Sequence, residues 1–228
     1  MAMLLSEMIT QVRLNIGNRS NLTDAYIRQW LNWSMTDAAT IRNWSDMKGV
    51  DESVTTRADG LEYQLPQGLK DILYASYLNG SQSLKLVYKS PRMFNAQFPH
   101  PEEDGSGTPS FYTKEGEYLK LWRTPNEAGH PIRLFCTKWP QAFNANADDE
   151  CPLERLEKAI IERASGYGAR AIADWNRMTI FNEAFNKSCL RLSRVDGNPS
   201  DWTPIYASEP IQRDFWQTGL MLPISSDI

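Results

Sequence analysis

Gly107-Thr-Pro-Ser-Phe-Tyr-Thr-Lys-Glu-Gly-Glu-Tyr-Leu-Lys-Leu-Trp-Arg-Thr-Pro-Asn-Glu-Ala-Gly-His-Pro-Ile-Arg-Leu-Phe-Cys-Thr-Lys-Trp139 reads as three short strands separated by turns. Ser110–Thr113 is the first, turned at Glu115-Gly116. Tyr118–Trp122 is the second, with Leu119 and Leu121 on one face and Tyr118, Lys120 and Trp122 on the other. Pro125-Asn126 and Gly129-His130-Pro131 break the chain before the third, Ile132–Thr137. Alternating side chains between Gly/Pro/Asn clusters predict an antiparallel meander. The stretch reads as scaffold, with no reaction centre in it.

The period-two pattern extends towards the N-terminus. Glu52–Arg57 and Leu61–Leu65 flank Ala58-Asp59-Gly60, which predicts a hairpin turn. Asp71–Leu78 and Ser83–Tyr88 flank Asn79-Gly80, a strong turn signal, with a four-residue loop expected. Ser90-Pro91 places an N-cap before a proline at the first helical position, so Pro91–Gln97 is a short helix. Phe98–Gly107 is a polar, acidic loop expected to be mobile.

Helical spacing takes over on both sides of this region. Leu5, Met8, Ile9 and Val12 give a helix over Met3–Ile16, ended by Gly17-Asn18. A second helix starts near Asn21 or Thr23, with Ile27, Trp30, Leu31, Ser34, Ala38 and Ile41 as its buried stripe. Tyr26, Trp33 and Trp44 lie off that stripe, where they cover core edges or form a second packing face. After the polar Asn144–Glu150, Cys151-Pro152 opens a helix with Leu153, Leu156, Ile160, Ala164, Tyr167, Ala171 and Trp175 on one stripe. Gly166 and Gly168 inside it each cost about 1 kcal/mol relative to Ala, and close approach of another helix is the structural reason expected. Asn176 interrupts or caps it. Arg177–Arg194 continues with Met178, Phe181, Phe185, Ser188 and Leu192 inward, giving a helical hairpin or kinked pair. The fold class expected is therefore α+β: a helical bundle of two N-terminal and two C-terminal helices, an inserted small antiparallel β domain, and an extended C-terminal arm. The expected divisions are 1–50 and 144–194 for the helices, 51–143 for the β region and 195–228 for the arm.

At 228 residues the chain is long enough to bury a core without disulfides. Cys136, Cys151 and Cys189 are odd in number and unclustered, which fits reduced thiols. The N-terminus shows neither a basic region nor a long apolar run, so no signal peptide or membrane span is expected. The net charge of −4 is unevenly placed. Residues 195–228 hold five acids (Asp196, Asp201, Glu209, Asp214, Asp227) against one base, Arg213, and the rest of the chain is balanced. A basic groove beside the aromatics, as a single-strand-binding module requires, is missing from the pattern.

No residue set carries chemistry. His100 and His130 each precede a proline and have no Cys or His at ligand spacing, so no metal site is expected. Asp148-Asp149-Glu150 reads as an acidic approach to a helix N-terminus. There is no nucleophile elbow, phosphate-binding glycine loop or His-Glu-x-x-His, and Gly105-Ser106-Gly107 neither follows a strand nor opens a helix. Cys136 and Cys189 read as packing residues. No catalytic residue and no cofactor are assigned. An enzyme using dispersed carboxylates stays as an alternative, and would show a concave pocket with perturbed titratable groups.

The C-terminal segment differs in character. Prolines 199, 204, 210 and 223 exclude a long element, yet the segment is rich in large apolar residues. It reads as an arm that docks through Trp202, Tyr206, Phe215, Trp216, Leu220, Met221 and Leu222.

The order of elements carries a resemblance. Two helices are followed by Tyr63-Gln64-Leu65-Pro66, a strand pair about Asn79-Gly80, Ser106-Gly107-Thr108-Pro109-Ser110-Phe111-Tyr112, Leu119-Lys120-Leu121-Trp122-Arg123-Thr124-Pro125, a last strand ending in Pro140, and a helical pair containing the Ala/Gly/Tyr-rich run Ala164–Trp175. This resembles the head–tail connector (adaptor) proteins of tailed bacteriophages over roughly residues 3–194. The resemblance implies a non-enzymatic virion protein of the neck, assembled in the host cytoplasm as a ring matched to the dodecameric portal. Its implied partners are the portal, a head-closure or tail protein, further copies of itself, and genomic DNA passing through without sequence-specific binding; no membrane is involved. A tail-completion or other tail-side structural protein is the alternative.

Overall fold

The computed structural model describes residues 2–19, 21–80 and 82–196. Among these the elements run α1 (Leu5–Asn15), α2 (Asp24–Ile41), β1 (Lys48–Thr55), β2 (Glu62–Gln64), β3 (Leu69–Asn79), β4 (Gln82–Tyr88), α3 (Pro91–Gln97), β5 (Phe111–Glu115), β6 (Tyr118–Trp122), β7 (Pro131–Lys138), α4 (Glu157–Ala171) and α5 (Trp175–Val195). The α+β class expected from the sequence holds. The interface residues from Trp202 to Leu222 lie outside the described residues. The chain divides into two compact units. Among the described residues, a helical unit takes those up to Gly49, Gln67–Asp71 and 136–196; a sheet unit takes Val50–Pro66 and Ile72–Phe135.

In the helical unit, α4 packs against α5, α2 and α1. Leu5, Met8 and Val12 of α1, Ile27, Leu31 and Met35 of α2, and Ala159, Ile160 and Ala164 of α4 share one core cluster. The α1 and α2 sets recur at three or four residues, as do Ile160 and Ala164 in α4, which puts each on one face of its helix. The polar stretch before α4 has a structural use. Leu5 N and Ser6 N donate to the carbonyls of Asp149 (2.8 Å) and Ala147 (3.1 Å), satisfying amides that a helix start leaves open. Cys151 N donates to Met3 O at 3.0 Å, and α4 proper begins only at Glu157, after a 3-10 turn at Glu154–Leu156.

Three details of the helices differ from the pattern reading. The break between α4 and α5 lies at 172–174, not at Asn176: Ala173 takes a φ of +59° and the Asp174 side chain accepts from Arg177 N at 3.1 Å. Ile41 and Trp175, placed on buried stripes, are 51% and 59% exposed: Ile41 is the last residue of α2, and the break at 172–174 takes Trp175 off the α4 stripe as the first residue of α5. Trp44, placed off the stripe, is buried with its indole N–H donating to Ala38 O at 2.8 Å.

The helix glycines answer to close packing. A Cβ on Gly168 would lie 2.9 Å from Ile16 Cγ2 and 3.1 Å from the Trp30 ring, whereas one on Gly166 would meet the movable Asn182 amide at 2.9 Å. Gly168→Ala is therefore expected to destabilise by about 1–3 kcal/mol through overpacking. Gly166→Ala is expected to cost less, about 0–1 kcal/mol, because the helix-propensity gain of roughly 1 kcal/mol offsets part of the shift of the Asn182 amide away from Arg163. Urea midpoints of the two variants check this; equal losses would contradict it.

The sheet has seven strands in the order β1-β7-β3-β4-β5-β6-β2. It is mixed, not antiparallel as expected: β4 pairs parallel with β5 through Val87↔Phe111, while β3–β4, β5–β6 and β2–β6 are antiparallel. The reason is α3, which forms the crossover that a parallel neighbour needs. Ser90 Oγ caps α3 by accepting from Met93 N. The β5–β6 hairpin is as expected, with Leu119 and Leu121 fully buried, although its turn lies at Gly116-Glu117. The third strand of the expected meander leaves the hairpin: β7 lies between β1 and β3. Alternation fixes which face a strand buries and leaves its neighbours open.

The expected hairpin about Asp59-Gly60 turns but does not pair, since β2 joins β6 through Tyr63↔Leu119. Gly60 instead makes room for Tyr63, whose hydroxyl donates to Gly60 O at 2.9 Å; a Cβ on Gly60 would lie 2.6 Å from that oxygen. The Asn79-Gly80 loop is also shorter than expected, with Asn79 directly opposite Gln82. Phe98, expected at the start of a mobile loop, is buried and stacks on Trp122 at 4.1 Å, and Trp122 Nε1 donates to Asp104 at 2.7 Å.

Candidate interaction surfaces

Two clusters of ionisable side chains hold elements of the helical unit together. Arg163 of α4 binds Asp37 of α2 through Nε at 2.7 Å and donates to the Asn182 carbonyl of α5 through Nη1 at 2.7 Å. Tyr167 donates its hydroxyl to the same Asp37 oxygen at 2.7 Å. The Arg163 guanidinium also lies over the Tyr167 and Phe185 rings. Trp33 meets Tyr167 edge-on at 5.5 Å while remaining 46% exposed, so it rims this cluster as the sequence reading allowed.

A second cluster fixes the end of α5. The Asp196 carboxylate is 5% exposed and accepts from Ser45 N at 3.0 Å, from Ser45 Oγ, and from Arg155 Nη1 at 3.1 Å. Arg155 also donates to Ser45 Oγ at 3.1 Å. One turn earlier, Arg42 Nη1 donates to Ser193 O. The point from which residues 197–228 leave is thus held by two segments, residues 42–45 and Arg155.

In the sheet unit, Ser53, Arg57, Glu62, Tyr63 and Tyr118 line an open depression of about 390 Å³. Its groups are engaged locally: Arg57 Nη2 donates to Glu62 O at 2.7 Å, and Tyr63 closes on Gly60. Glu127 lies 2.9 Å from His130 Nε2, whose ring meets Tyr77 edge-on. The three cysteines are buried and in no disulfide, and burial pushes the Cys151 thiol up to about 12 and Cys189 to about 11, which suits packing residues. Among the described residues no group of three or more His, Cys, Asp or Glu is placed to hold a metal ion, and no helix is long and apolar enough to cross a membrane.

Burial raises the phenols of Tyr63, Tyr77 and Tyr167; for Tyr167 the hydrogen bond to Asp37 adds to it, and for Tyr77 the nearby Glu127 charge. The fold favours the neutral phenol, so unfolded chains bind fewer protons above the ordinary value of about 10. The stability from these groups is complete below that pH and is lost as pH climbs through the raised folded values. In a phenolate absorbance titration the three are expected to ionise above the ordinary phenol range, together with unfolding. Ionisation of every tyrosine before the loss of helix signal would contradict this.

The described surface leaves large side chains partly in water on several sides. Tyr26, Trp33, Trp175, Ile180 and Leu190 are exposed in the helical unit, and Met93 and Tyr118 in the sheet unit. Within the 21-residue α5, Phe185 and Cys189 alone are fully buried among the described side chains. A subunit that leaves several large apolar side chains in water has the make-up of an assembly component. The model of the SU10 adaptor protein family matches residues 3–205. The chain belongs to this family of phage head–tail adaptors, and is accordingly a phage structural protein of the virion. No curated protein matches it.

Sequence reasoning did not find the Arg163 or Asp196 clusters. Asp37 and Arg163 are 126 residues apart, and Ser45 and Asp196 are 151 apart. The available signal was a charged residue interrupting a buried helical face, as Arg163 does between Ile160 and Ala164.

Proposed function

We propose that this chain is the ring-forming adaptor of the virion neck, docked beneath the portal and linking it to head-closure or tail proteins, with DNA passing through its lumen. Its helices form the bundle of each ring subunit, residues 51–143 are the inserted β region, and residues 195–228 are a docking arm that reaches a neighbouring subunit or the portal. The ring is dodecameric, matching the portal. Family membership over residues 3–205 carries this reading. Exposed aromatics on more than one face support it, since such residues anchor interfaces. The near-balance of charge outside the arm also suits a lumen through which phosphates slide, because each phosphate neutralised by Lys or Arg strengthens retention.

Native mass spectrometry of the chain alone and with its portal ring tests the proposal. One subunit bound per portal subunit is expected, with deletion of Val195–Ile228 weakening ring formation or portal binding. A chain that stays monomeric beside the portal would overturn the portal assignment and favour a tail-side component. Unchanged assembly of the truncated chain would overturn the role of the arm.

A further inference from the structure

One end of the helical unit concentrates positive charge. The turn from α1 to α2 and the turn from α4 to α5 come together there: Gly168 packs against Ile16 and Trp30, and a Cβ on Gly17 would lie 3.8 Å from Arg177 Nη1. Residues 13–28 and 168–177 contribute five arginines (Arg13, Arg19, Arg28, Arg170, Arg177) and two carboxylates (Asp24, Asp174). Both carboxylates are taken, Asp24 by Arg13 and Asp174 by Arg177 at 3.4 Å. Arg19, Arg28 and Arg170 have no carboxylate partner among the described residues. Tyr26 and Trp175, 54% and 59% exposed, stand at the same end. Cations beside exposed aromatics make a surface suited to a segment that is itself anionic and aromatic.

This chain contains such a segment. Residues 197–228 carry four acids (Asp201, Glu209, Asp214, Asp227), one base (Arg213) and the aromatics Trp202, Tyr206, Phe215 and Trp216. They follow Asp196, which is clasped at the other end of α5. At about 1.5 Å per residue the 21-residue helix separates the two ends by about 31 Å. Glu209 and Asp214 lie 13 and 18 residues beyond Asp196, so at about 3.3 Å per residue they reach roughly 43 and 60 Å, far enough to meet the basic end of the same chain or of a neighbouring copy. Docking on the neighbour makes the contact head-to-tail, the kind that propagates from copy to copy and closes into rings, as the ring of the proposed function requires.

We propose that the basic turn end, through Arg19, Arg28 and Arg170 with Tyr26 and Trp175, is the acceptor for residues 197–228 of a neighbouring copy. This rests on reading those residues as a docking arm, and it names the surface that receives them.

Two full-length variants test it. R19E/R28E/R170E reverses the acceptor, and D201K/E209K/D214K reverses the arm. Each alone is expected to weaken self-association about tenfold or more, in a salt-dependent way, with thermal unfolding of the separate chains unchanged. Mixed in equal amounts, the two are expected to regain self-association, because every acidic arm then meets a basic end and every basic arm an acidic end. Analytical ultracentrifugation reads all three samples. If the acceptor variant associates like the wild type while arm deletion abolishes assembly, the arm docks elsewhere and this surface is not its acceptor. Two separately defective variants that stay apart on mixing overturn docking between copies. Assembly that survives arm deletion removes the underlying reading as well.

Discussion

Asp196→Ala is expected to destabilise the chain by about 2–4 kcal/mol and to loosen the last turn of α5. The carboxylate is 5% exposed and receives three donors, Ser45 N, Ser45 Oγ and Arg155 Nη1. Removing it strands the Ser45 amide and leaves Arg155 with Asp46 as its remaining carboxylate, at 3.9 Å. The cost is dominated by these abandoned donors, so Asp196→Asn, which keeps an acceptor in place, is expected to lose less than half as much. Hydrogen exchange should show the same order, with the amides of residues 190–196 deprotected first. A wild-type urea midpoint and exchange pattern in Asp196→Ala would show that the clasp is incidental. The expected result bears on assembly too, because a frayed α5 end lets the following residues leave in many directions.

Arg163→Ala is expected to cost a similar amount, about 2–4 kcal/mol, by a different route. Arg163 joins α4 to Asp37 of α2 and to Asn182 of α5, and its guanidinium covers the Tyr167 and Phe185 rings. Alanine removes one cation from three helices at once and leaves the half-buried Asp37 with Tyr167 alone. Arg163→Lys keeps the charge but loses the fork that serves Asp37 and Asn182 together, so it is expected to recover at most half of the loss. In Asp37→Asn the pair of substitutions should be non-additive: once Arg163 is gone, neutralising Asp37 is expected to restore stability. Simple addition of the two single losses would show that the three helices are held by apolar packing alone.

Local pattern carried the sequence reading far. The stripes of α1, α2 and α4 gave real core positions, Ser90-Pro91 began α3, and Leu119 with Leu121 marked the buried face of β6. What stayed hidden was strand partnership. Ile132, Leu134 and Cys136 alternate equally well beside β6 or between β1 and β3, since alternation records a face and not a neighbour. Asp59-Gly60 has the sequence of a hairpin turn, but here Gly60 yields space to Tyr63. The surface was less legible still. Trp175 and Ile41 fit their stripes by spacing, but Trp175 lies beyond the break at 172–174 and Ile41 is the last residue of its helix. The acceptor end was out of reach of pattern reading because its arginines come from two turns far apart in the chain.

The capping of α1 by carbonyls of residues 147 and 149 also orders events during synthesis. The first two helices leave the ribosome with α4 still untranslated, and Asn15 waits for Ser165, 150 residues later. The strands are made in between. The sheet segment therefore has every one of its own residues available while the opening helices still lack their main packing partner. The nascent chain must carry an exposed apolar stripe on α1 and α2 through that interval, and host chaperones have their longest opportunity to bind there.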